Sequence, residues 1–286
     1  KKNDIALLCL PIQYIAGAMV LVRALVLDLK VAIIEPKQNP IEELVHAGIN
    51  VDVASFVPTQ WAQMIQFPAE LDHIFKESKG VLLGGAGLDS QLEKKTSALD
   101  FPVFHTYAMT ETVSHIAYRR INIHSQPSIY EVFPGILIDK NENSCLKIQS
   151  FLTDHQWLET SDLVEIISEK SFQLLGRADF VINSGGFKIQ PLKLETLCQD
   201  FFSDKNLSCD LFLFGIEDAF YGQKAVLFVN QELAQVYFTE LKNFLANHLD
   251  SKEIPKECII VPNFQINSNG KIDRIKTVNL YFNNQK

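Results

Sequence analysis

Cysteine is scarce in this chain of 286 residues, and its pattern argues against several classes of protein. The five cysteines are scattered, odd in number and never spaced C-x-x-C, which argues against a disulfide framework and against a cysteine zinc site. The seven histidines form no H-x-x-x-H or H-x-H pair, so we predict no histidine metal site. Unpaired thiols of this kind predict a reducing compartment, and therefore a cytoplasmic protein.

Positive charge and long apolar runs are also lacking. The chain has 26 Lys and Arg against 34 Asp and Glu, and the net charge of -8 argues against a nucleic-acid surface. The longest apolar stretch, Ile15 to Leu29, contains Arg23 and Asp28 and is too short to span a membrane, so we predict a buried helix. No secretory signal is recognisable. Because the chain starts at Lys1 almost directly in an apolar strand, we expect an N-terminal part to be missing.

Apolar strands alternate with helical segments in the first part of the chain, up to Tyr107. This alternation predicts a mostly parallel sheet with right-handed crossovers. Residues 116–167 change to short strands and turns, which predicts a small β subdomain. The residues after Asp179 predict an α+β unit. The predicted fold class is α/β, with a partial N-terminal domain over residues 1–178 and a smaller C-terminal domain over residues 179–286.

Two polar turns follow predicted strands. The run from Gly84 to Gly87 stands between a strand and a helix, where glycine lets a flat or phosphorylated ligand approach the backbone. A plain strand–helix turn is the alternative interpretation. The segment from Tyr107 to Thr112 ends another strand, at the edge where open α/β sheets bind ligands. Its threonine hydroxyls and carboxylate can hold a phosphate and a Mg²⁺ ion, although a polar loop with a capping Thr explains the same residues.

Polar chemistry is also indicated at three later positions. Asp162 follows Trp157 at a strand start and can accept two ribose hydroxyls, with a capped turn as the alternative. Arg177 can hold ribose or phosphate, or form only a surface ion pair. Lys271 is a cation on a Gly-led loop, and in isolation a solvated turn explains it better.

Arg23 interrupts a helix that is otherwise almost entirely apolar up to Asp28. A buried guanidinium is costly unless it is paired. It either reaches the surface, pairs with a protein carboxylate, or holds a substrate carboxylate through two hydrogen bonds.

Taken in order, these segments resemble the motifs of the adenylate-forming superfamily, which comprises acyl-CoA synthetases, adenylation domains and luciferases. The matching segments in chain order are LPIQYIAG, YAMTET, WLETSDL, LLGRADFVINSGGFKIQPLKLE and NSNGKIDR. The family motifs that they resemble are L-P-x-x-H-x-x-G, Y-G-M-T-E-T, W-x-x-T-G-D-L, G-R-x-D-x-x-I-x-x-G-G-x-x-I-x-P-x-E-x-E and T-x-x-G-K-x-x-R. Within the superfamily the chain resembles the o-succinylbenzoate–CoA ligases of menaquinone biosynthesis, which place an Arg nine residues after the motif His. Here Arg23 stands nine residues after Tyr14.

The resemblance implies an AMP-forming acid–CoA ligase that activates o-succinylbenzoate with ATP and transfers it to coenzyme A. ATP, Mg²⁺ and coenzyme A are the implied cofactor and co-substrates. Lys271 and Thr110 are the implied catalytic residues, and Glu111 is the implied metal ligand. The implied nucleotide-binding residues are Gly84, Gly85, Ala86, Tyr107, Thr110, Asp162 and Arg177.

The acid and coenzyme A have their own implied residues. Arg23, Tyr14 and Gly17 are the implied substrate-binding set. In the family the small domain rotates between the two half-reactions as a lid. The residues implied for the hinge and for coenzyme A are Asp179, Ser184, Gly185, Gly186 and Lys188.

The chain departs from the family pattern in several places. The Ser-, Thr- and Gly-rich phosphate loop that ends in Lys is absent, and we expect it upstream of residue 1. Tyr14 replaces the motif His, which can alter the acyl pocket. Ala108 and Ser161 replace glycines, and Lys193 replaces a Glu.

Three functions stay open at this point. The first is the o-succinylbenzoate ligase, and the second is a ligase or adenylation domain for another carboxylic acid. The third is a non-catalytic nucleotide-binding remnant, favoured by the absent phosphate loop. The expected partners are the small-molecule acid, ATP and coenzyme A, without nucleic acid or a membrane span, and a homodimer is left open.

Overall fold

The computed structural model describes residues 1–121, 129–267 and 272–283, and they divide into two compact units. Unit 1 comprises residues 1–160 and 164–174, and unit 2 comprises residues 161–163 and 175–286. The predicted domain boundary at residues 178 and 179, and the movement of the smaller domain as a lid, stay predictions.

The first large sheet has eleven strands and is flanked by five helices. Its strands are β1 (Ile5–Leu8), β2 (Lys30–Ile33), β3 (Val53–Phe56), β4 (Gly80–Leu83), β5 (Val103–Ala108), β6 (His115–Arg120), β7 (Ile129–Val132), β8 (Leu137–Lys140), β9 (Cys145–Gln149), β10 (Leu158–Ser168) and β11 (Ser171–Arg177). The helices are α1 (Ile15–Leu27), α2 (Ile41–Ala47), α3 (Pro58–Met64), α4 (Pro68–Phe75) and α5 (Ser90–Ser97).

The order of the strands is β2-β1-β3-β4-β5-β6-β7-β11-β10-β9-β8. From β2 to β5 every neighbouring pair is parallel, as expected where a helix returns the chain to the same edge. At β6 the sheet becomes antiparallel, and its later strands range from four residues in β7 to eleven in β10, so the short strands expected there are found only in part. The predicted α/β class with a mostly parallel first part is confirmed. Because β4 and β5 are parallel neighbours, the turns that follow them lie at one edge of the sheet.

Aromatic side chains fill the core between the parallel strands and helices α3 to α5. Phe56, Trp61, Phe75 and Phe101 are each at most 2% exposed, and neighbouring rings in this group lie 5.6 to 6.4 Å apart between centroids. Rings of this size bury 150–250 Å² each, so they supply much of the apolar stabilisation of unit 1. The indole N–H of Trp61 donates to Thr96 Oγ1 at 2.8 Å, which satisfies its buried polar atom.

Helix α1 is not the buried helix that its composition predicts. Only Gly17, Val20 and Ala24 are buried along it, whereas Leu25 and Val26 are 82% and 76% exposed. The apolar residues surround the helix rather than forming one stripe, so composition could not identify the face that packs. A Cβ at Gly17 would come 2.4 Å from the carbonyl oxygen of Pro11, so this glycine is needed for the close approach of α1 to the chain before it.

Unit 2 contains a second, five-stranded sheet covered by helices. Its elements are β12 (Ile182–Ser184), β13 (Phe187–Ile189), α6 (Pro191–Asp204), β14 (Leu211–Asp218), β15 (Gly222–Val229), α7 (Glu232–Val236), α8 (Phe238–Ala246), β16 (Glu257–Ile260) and α9 (Arg274–Asn283). The strands lie in the order β13-β12-β15-β14, and β16 is parallel to β15. The predicted α+β character is confirmed, and helices α7 and α8 meet at Tyr237.

Two negative findings concern the described residues alone. None of their helices is long and apolar enough to cross a membrane. They also contain no group of three or more His, Cys, Asp or Glu side chains placed to hold one metal ion.

Candidate functional site

The glycine turn after β4 lies directly against β5. A Cβ at Gly84 would stand 2.6 Å from Thr106 Oγ1, which is closer than two such atoms can approach. That hydroxyl is buried and donates to the Leu83 carbonyl at 3.1 Å, so it is not free to turn away. Glycine at position 84 is therefore required by packing, and Gly85 has a φ of 88° that also favours glycine.

His105 on β5 is a residue that the sequence interpretation missed. Its Nε2 lies 2.9 Å from the carbonyl oxygen of Ala86, and its Nδ1 lies 2.8 Å from the hydroxyl of Tyr130. Burial lowers the pKa of His105 to about 4, so the imidazole is neutral near pH 7. The signal in the sequence was a histidine two residues before Tyr107 in a buried strand, where side chains at i and i+2 share a face.

Tyr107 is packed in an aromatic group at the end of β5. Its ring meets the edges of Tyr130 and Phe172 at centroid distances of 6.0 and 5.3 Å. Tyr107 is 8% exposed, so little of its surface is available to a ligand. The predicted nucleotide residues Gly84, Ala86 and Tyr107 are thus brought to the same edge of the sheet.

Thr110 and Glu111 follow in a single 3₁₀ turn, Thr110–Thr112. Both are exposed, whereas Thr112 is fully buried and its hydroxyl bonds the carbonyl oxygens of Met109 and Ser114. Val113 has a φ of 61° and a ψ of -43°, which is a strained conformation for a β-branched residue. Strain of this kind persists where surrounding structure enforces it, often at ligand sites. Thr112 therefore holds the turn, and Thr110 and Glu111 are presented to solvent.

Glu111 lines a cavity of about 230 Å³ in unit 1. The other residues that line it are Thr153, Asp154, Gln156, Trp157 and Leu158. Two carboxylates, from Glu111 and Asp154, therefore share one cavity. Trp157 forms an aromatic wall of this cavity. Lys147 Nζ lies 4.9 Å from the centre of the Trp157 ring, which is a cation–π contact.

Arg23 is half-buried and has no carboxylate partner in the described part of the chain. Its Nε donates to the Met19 carbonyl one turn earlier at 2.9 Å, which leaves the two terminal nitrogens unassigned. Burial lowers the pKa of Arg23 from its usual value. Burial, with a smaller effect of the Arg23 charge, also lowers the pKa of His115 to about 4. The Arg23 cation and the neutral His115 imidazole, which lies near Gly84, thus belong to one polar region. The sequence interpretation identified only Arg23.

Tyr14 and Gly17 were predicted with Arg23 as a substrate set. Tyr14 precedes α1 and is 47% exposed, and Gly17 is explained by packing. Nine positions along a helix span about 14 Å, so the backbones of Tyr14 and Arg23 are separated along the helix axis. Their joint role in binding an acid stays a prediction.

Unit 2 brings together the two residues predicted for ribose. Arg177 donates to Asp162 Oδ1 at 3.3 Å, to Ser161 Oγ at 2.8 Å and to Asp179 Oδ2 at 2.7 Å. The hydrogen bond from Arg177 holds the pKa of Asp179 below its usual value. The predicted ribose arginine and the predicted hinge aspartate are therefore neighbours in one hydrogen-bonded group.

The Ser184-Gly185-Gly186 segment is a tight hairpin turn between β12 and β13. Both glycines have positive φ, 57° and 83°, as a two-residue turn of this kind requires. The Gly185 N–H donates to the carbonyl of Tyr221, the residue before β15, at 2.8 Å, which fixes the turn to that segment. Lys188 is exposed on β13. The geometry of the turn explains why positions 185 and 186 are glycine, and their role in binding coenzyme A stays a prediction.

Lys271 lies outside the described residues. The residue three positions later, Arg274, begins α9 and forms a paired contact with Glu195 of α6, at 2.7 Å from Nη1 to Oε1 and 2.9 Å from Nη2 to Oε2. Oε1 of Glu195 also accepts the Leu213 N–H at 2.8 Å. The guanidinium carbon lies 4.4 Å from the centre of the Phe180 ring. The sequence interpretation assigned no role to this buried pair.

The chain is similar to several known proteins. The chain is 34% identical to an acyl-CoA synthetase (AMP-forming)/AMP-acid ligase II-like protein from Dyadobacter fermentans, with a TM-score of 0.58 over 98% of this chain and 79% of that one. It is 29% identical over 300 residues to the 2-succinylbenzoate–CoA ligase of Staphylococcus epidermidis, across 96% of this chain and 61% of that protein. An o-succinylbenzoate coenzyme A synthetase from Bacillus subtilis, solved with ATP and magnesium ion, shares the fold at 20% identity, with a TM-score of 0.81 over 97% of this chain and 62% of that one.

The chain thus spans about three fifths of the length of the curated relative from Staphylococcus epidermidis, 61% of that protein. The family described as AMP-binding enzyme matches residues 1–143, which is half of the chain. The predicted resemblance to adenylate-forming enzymes is confirmed: this chain belongs to the AMP-binding enzyme family.

Proposed function

We propose that this chain belongs to an AMP-forming acid–CoA ligase whose acid is o-succinylbenzoate. In the first step a carboxylate oxygen of the acid attacks the α-phosphorus of ATP and pyrophosphate leaves. In the second step the sulfur of coenzyme A attacks the acyl carbon and AMP leaves. The names of the relatives support this reaction, and the half-buried Arg23 is the observation that supports a dicarboxylic acid.

Arg23 supports a second carboxylate for a physical reason. A half-buried guanidinium loses hydration, and its charge needs a partner to recover that cost. Within the described residues the chain supplies a backbone carbonyl from Met19 but no carboxylate. An acid with one carboxylate to activate and another to bind would supply it, through two parallel hydrogen bonds. The neutral His115 can donate a further hydrogen bond without adding a second positive charge.

Residues predicted to bind the nucleotide lie in unit 1 and in unit 2. The turn from Gly84 to Ala86 and the ring of Tyr107 offer an exposed backbone and an aromatic edge to the adenine. Asp162 can accept the two ribose hydroxyls, since a carboxylate is an acceptor only. Arg177 orients that carboxylate and can also reach ribose or phosphate.

The residues around Glu111 fit a magnesium ion. Mg²⁺ prefers oxygen ligands and usually keeps several waters, so one or two carboxylates suffice alongside substrate phosphates. Glu111 is exposed and shares its cavity with Asp154, which leaves room for waters. When bound, the ion would supply positive charge against the phosphate oxygens. Thr110, next to Glu111, would donate a hydroxyl hydrogen bond to a phosphate oxygen.

Catalysis of the first step is mainly positioning and electrostatic stabilisation, because negative charge gathers around phosphorus in the transition state. Thr110 would hold the phosphate in place, and Lys271 would place its ammonium between the carboxylate and the α-phosphate. Arg23 would fix the distant end of the acid, so that its other carboxylate points at phosphorus. The role of Lys271 follows from the family resemblance alone.

The test measures AMP release and thioester formation by the whole gene product with o-succinylbenzoate, ATP, Mg²⁺ and coenzyme A. We expect turnover with this acid, and we expect Arg23→Gln to lower kcat/KM for it by about a hundredfold, as when a buried charge partner is removed. Arg23→Lys is the matched control, because it keeps the charge and loses the planar fork. It should recover only part of the activity.

Two outcomes would contradict the proposal. Turnover with a monocarboxylic acid that Arg23→Gln leaves unchanged would indicate a ligase or adenylation domain for another acid. Binding of AMP without turnover of any acid would indicate a nucleotide-binding remnant.

A further inference from the structure

We infer that His105 is a positioning residue for the adenine side of the site, because it joins the glycine turn to the aromatic wall that carries Tyr107. This inference rests on the proposed nucleotide site. Unlike the residues discussed above, His105 need not touch the ligand. Its two ring nitrogens connect parts of the structure that do.

The first step is the hydrogen-bond pattern of the ring. A neutral imidazole has one N–H donor and one acceptor nitrogen. The Ala86 carbonyl can only accept, so the proton must be on Nε2, 2.9 Å away. Nδ1 must then accept from the Tyr130 hydroxyl at 2.8 Å. The two contacts together fix the tautomer and the orientation of the ring.

Tyr130 then links this hydrogen bond to the aromatic wall. Its ring stacks on Phe172 at a centroid distance of 5.5 Å and meets Tyr107 at 6.0 Å. Tyr130 is 4% exposed, so its position is set by packing. Tyr130 therefore connects the His105 ring, and through it the carbonyl of Ala86, to the ring of Tyr107.

A partly buried ion pair packs against Tyr130. The guanidinium carbon of Arg119 lies 5.7 Å from the centre of the Tyr130 ring. Both terminal nitrogens of Arg119 donate to Glu93 of α5 at 2.6 Å. Helix α5 itself begins with a cap, in which Asp89 Oδ1 accepts the Leu92 N–H at 2.7 Å. The group is thus held from β5, β6, β7 and α5.

The bond to Ala86 is not needed to satisfy a buried carbonyl. Ala86 is exposed, so its carbonyl could bond water at little cost. What the bond does is hold an exposed loop that contains Gly84, Gly85 and Gly87. A loop of this composition has large conformational freedom, and fixing it before the ligand arrives lowers the entropic cost of binding. That effect is the one expected of a positioning residue.

The experiment measures AMP affinity of the full chain by titration calorimetry. His105→Leu removes both hydrogen bonds, and we expect its Kd for AMP to rise about tenfold or more. His105→Gln returns an amide donor near the position of Nε2, and its Kd should stay within about threefold of the wild-type value. A ¹⁵N spectrum should show the His105 ring of the wild type as the neutral tautomer with its proton on Nε2.

Thr96→Val is the matched control for a general loss of stability. It removes the buried hydrogen bond between Trp61 and Thr96 in the same unit but leaves both contacts of the His105 ring in place. We expect it to lower Tm without changing the Kd for AMP. Equal weakening by Thr96→Val and His105→Leu, or wild-type affinity in a folded His105→Leu, would overturn the inference alone. A wild-type chain that binds no AMP would overturn the proposed nucleotide site as well.

Discussion

His105 makes the stability of unit 1 depend on pH. The pKa of its ring is about 4 in the folded chain and 6.5 as the usual value, because burial disfavours the charged form. The unfolded chain therefore binds more protons between pH 6.5 and pH 4, and stability rises with pH across this window. We expect the free energy of unfolding to fall by about 1.5 kcal/mol between pH 6.5 and pH 5 from His105 alone.

Chemical denaturation of the wild type and His105→Gln at both pH values measures this contribution. Glutamine at position 105 does not titrate. Between the two pH values the variant should therefore lose about 1.5 kcal/mol less free energy of unfolding than the wild type. Arg119 and Glu93 are the charged groups that face His105 across Tyr130, and both are present in the two proteins. Identical pH dependence in the two would mean that His105 accepts a proton in the folded state without cost.

Individual residues were predicted unevenly from the sequence, for reasons that are physical. Arg23 was found because a charge in an apolar helix departs from the local pattern. His105 was missed because a histidine in a buried strand looks like any core residue until its two partners, 19 and 25 positions away, are known. Gly17 was assigned to the substrate, whereas its contact with Pro11 gives it a packing role that no local pattern shows.

Helices and strands were predictable where the hydrophobic pattern and the end signals agree. Helix α2 ends at Gly48, which has a φ of 59°, and α3 begins at Pro58, as the Gly and Pro positions indicate. The exposure of α1 was not predictable, because a helix with apolar residues on every side gives no indication of the face that packs. Helix α9 was missed for another reason: its anchor, Glu195, is 79 residues away from Arg274.

The pair of Glu195 and Arg274 should be the main electrostatic anchor of α9. Both side chains are largely buried, and removing one partner leaves the other charged and without its main hydrogen bonds. We expect Glu195→Ala to destabilise unit 2 by about 3–5 kcal/mol. Thermal or denaturant unfolding of the full chain, followed by a probe in unit 2, measures it.

The exposed pair of Lys205 and Glu240 is the matched control. Glu240→Ala should change the free energy of unfolding by no more than about 1 kcal/mol, since exposed ion pairs contribute little. A double variant, Glu195→Met with Arg274→Leu, should regain part of the lost stability by replacing two charges with apolar groups. If Glu195→Ala and Glu240→Ala had equal effects, α9 would be held by its apolar face alone.

At the scale of the whole molecule, the fold class followed from the change in pattern along the chain, whereas the predicted domain boundary stays a prediction. What did not follow is the arrangement of the site, because the predicted nucleotide residues come from both units and Lys271 lies outside the described residues. The motif order identifies the family without giving distances. The structure adds one relation within unit 2: Arg177, assigned to ribose, holds Asp179, assigned to the hinge.

That relation makes the hinge testable in two ways. If the smaller unit rotates about Asp179 between the half-reactions, a proline there restricts φ and should hinder the rotation. We expect Asp179→Pro to slow thioester formation about tenfold or more while adenylate formation, measured as pyrophosphate release in a single turnover, changes less. Asp179→Ala removes the hydrogen bond to Arg177 but leaves the backbone free, so both half-reactions should keep their ratio. Equal loss of both half-reactions in Asp179→Pro would mean that the segment is a structural joint rather than a pivot.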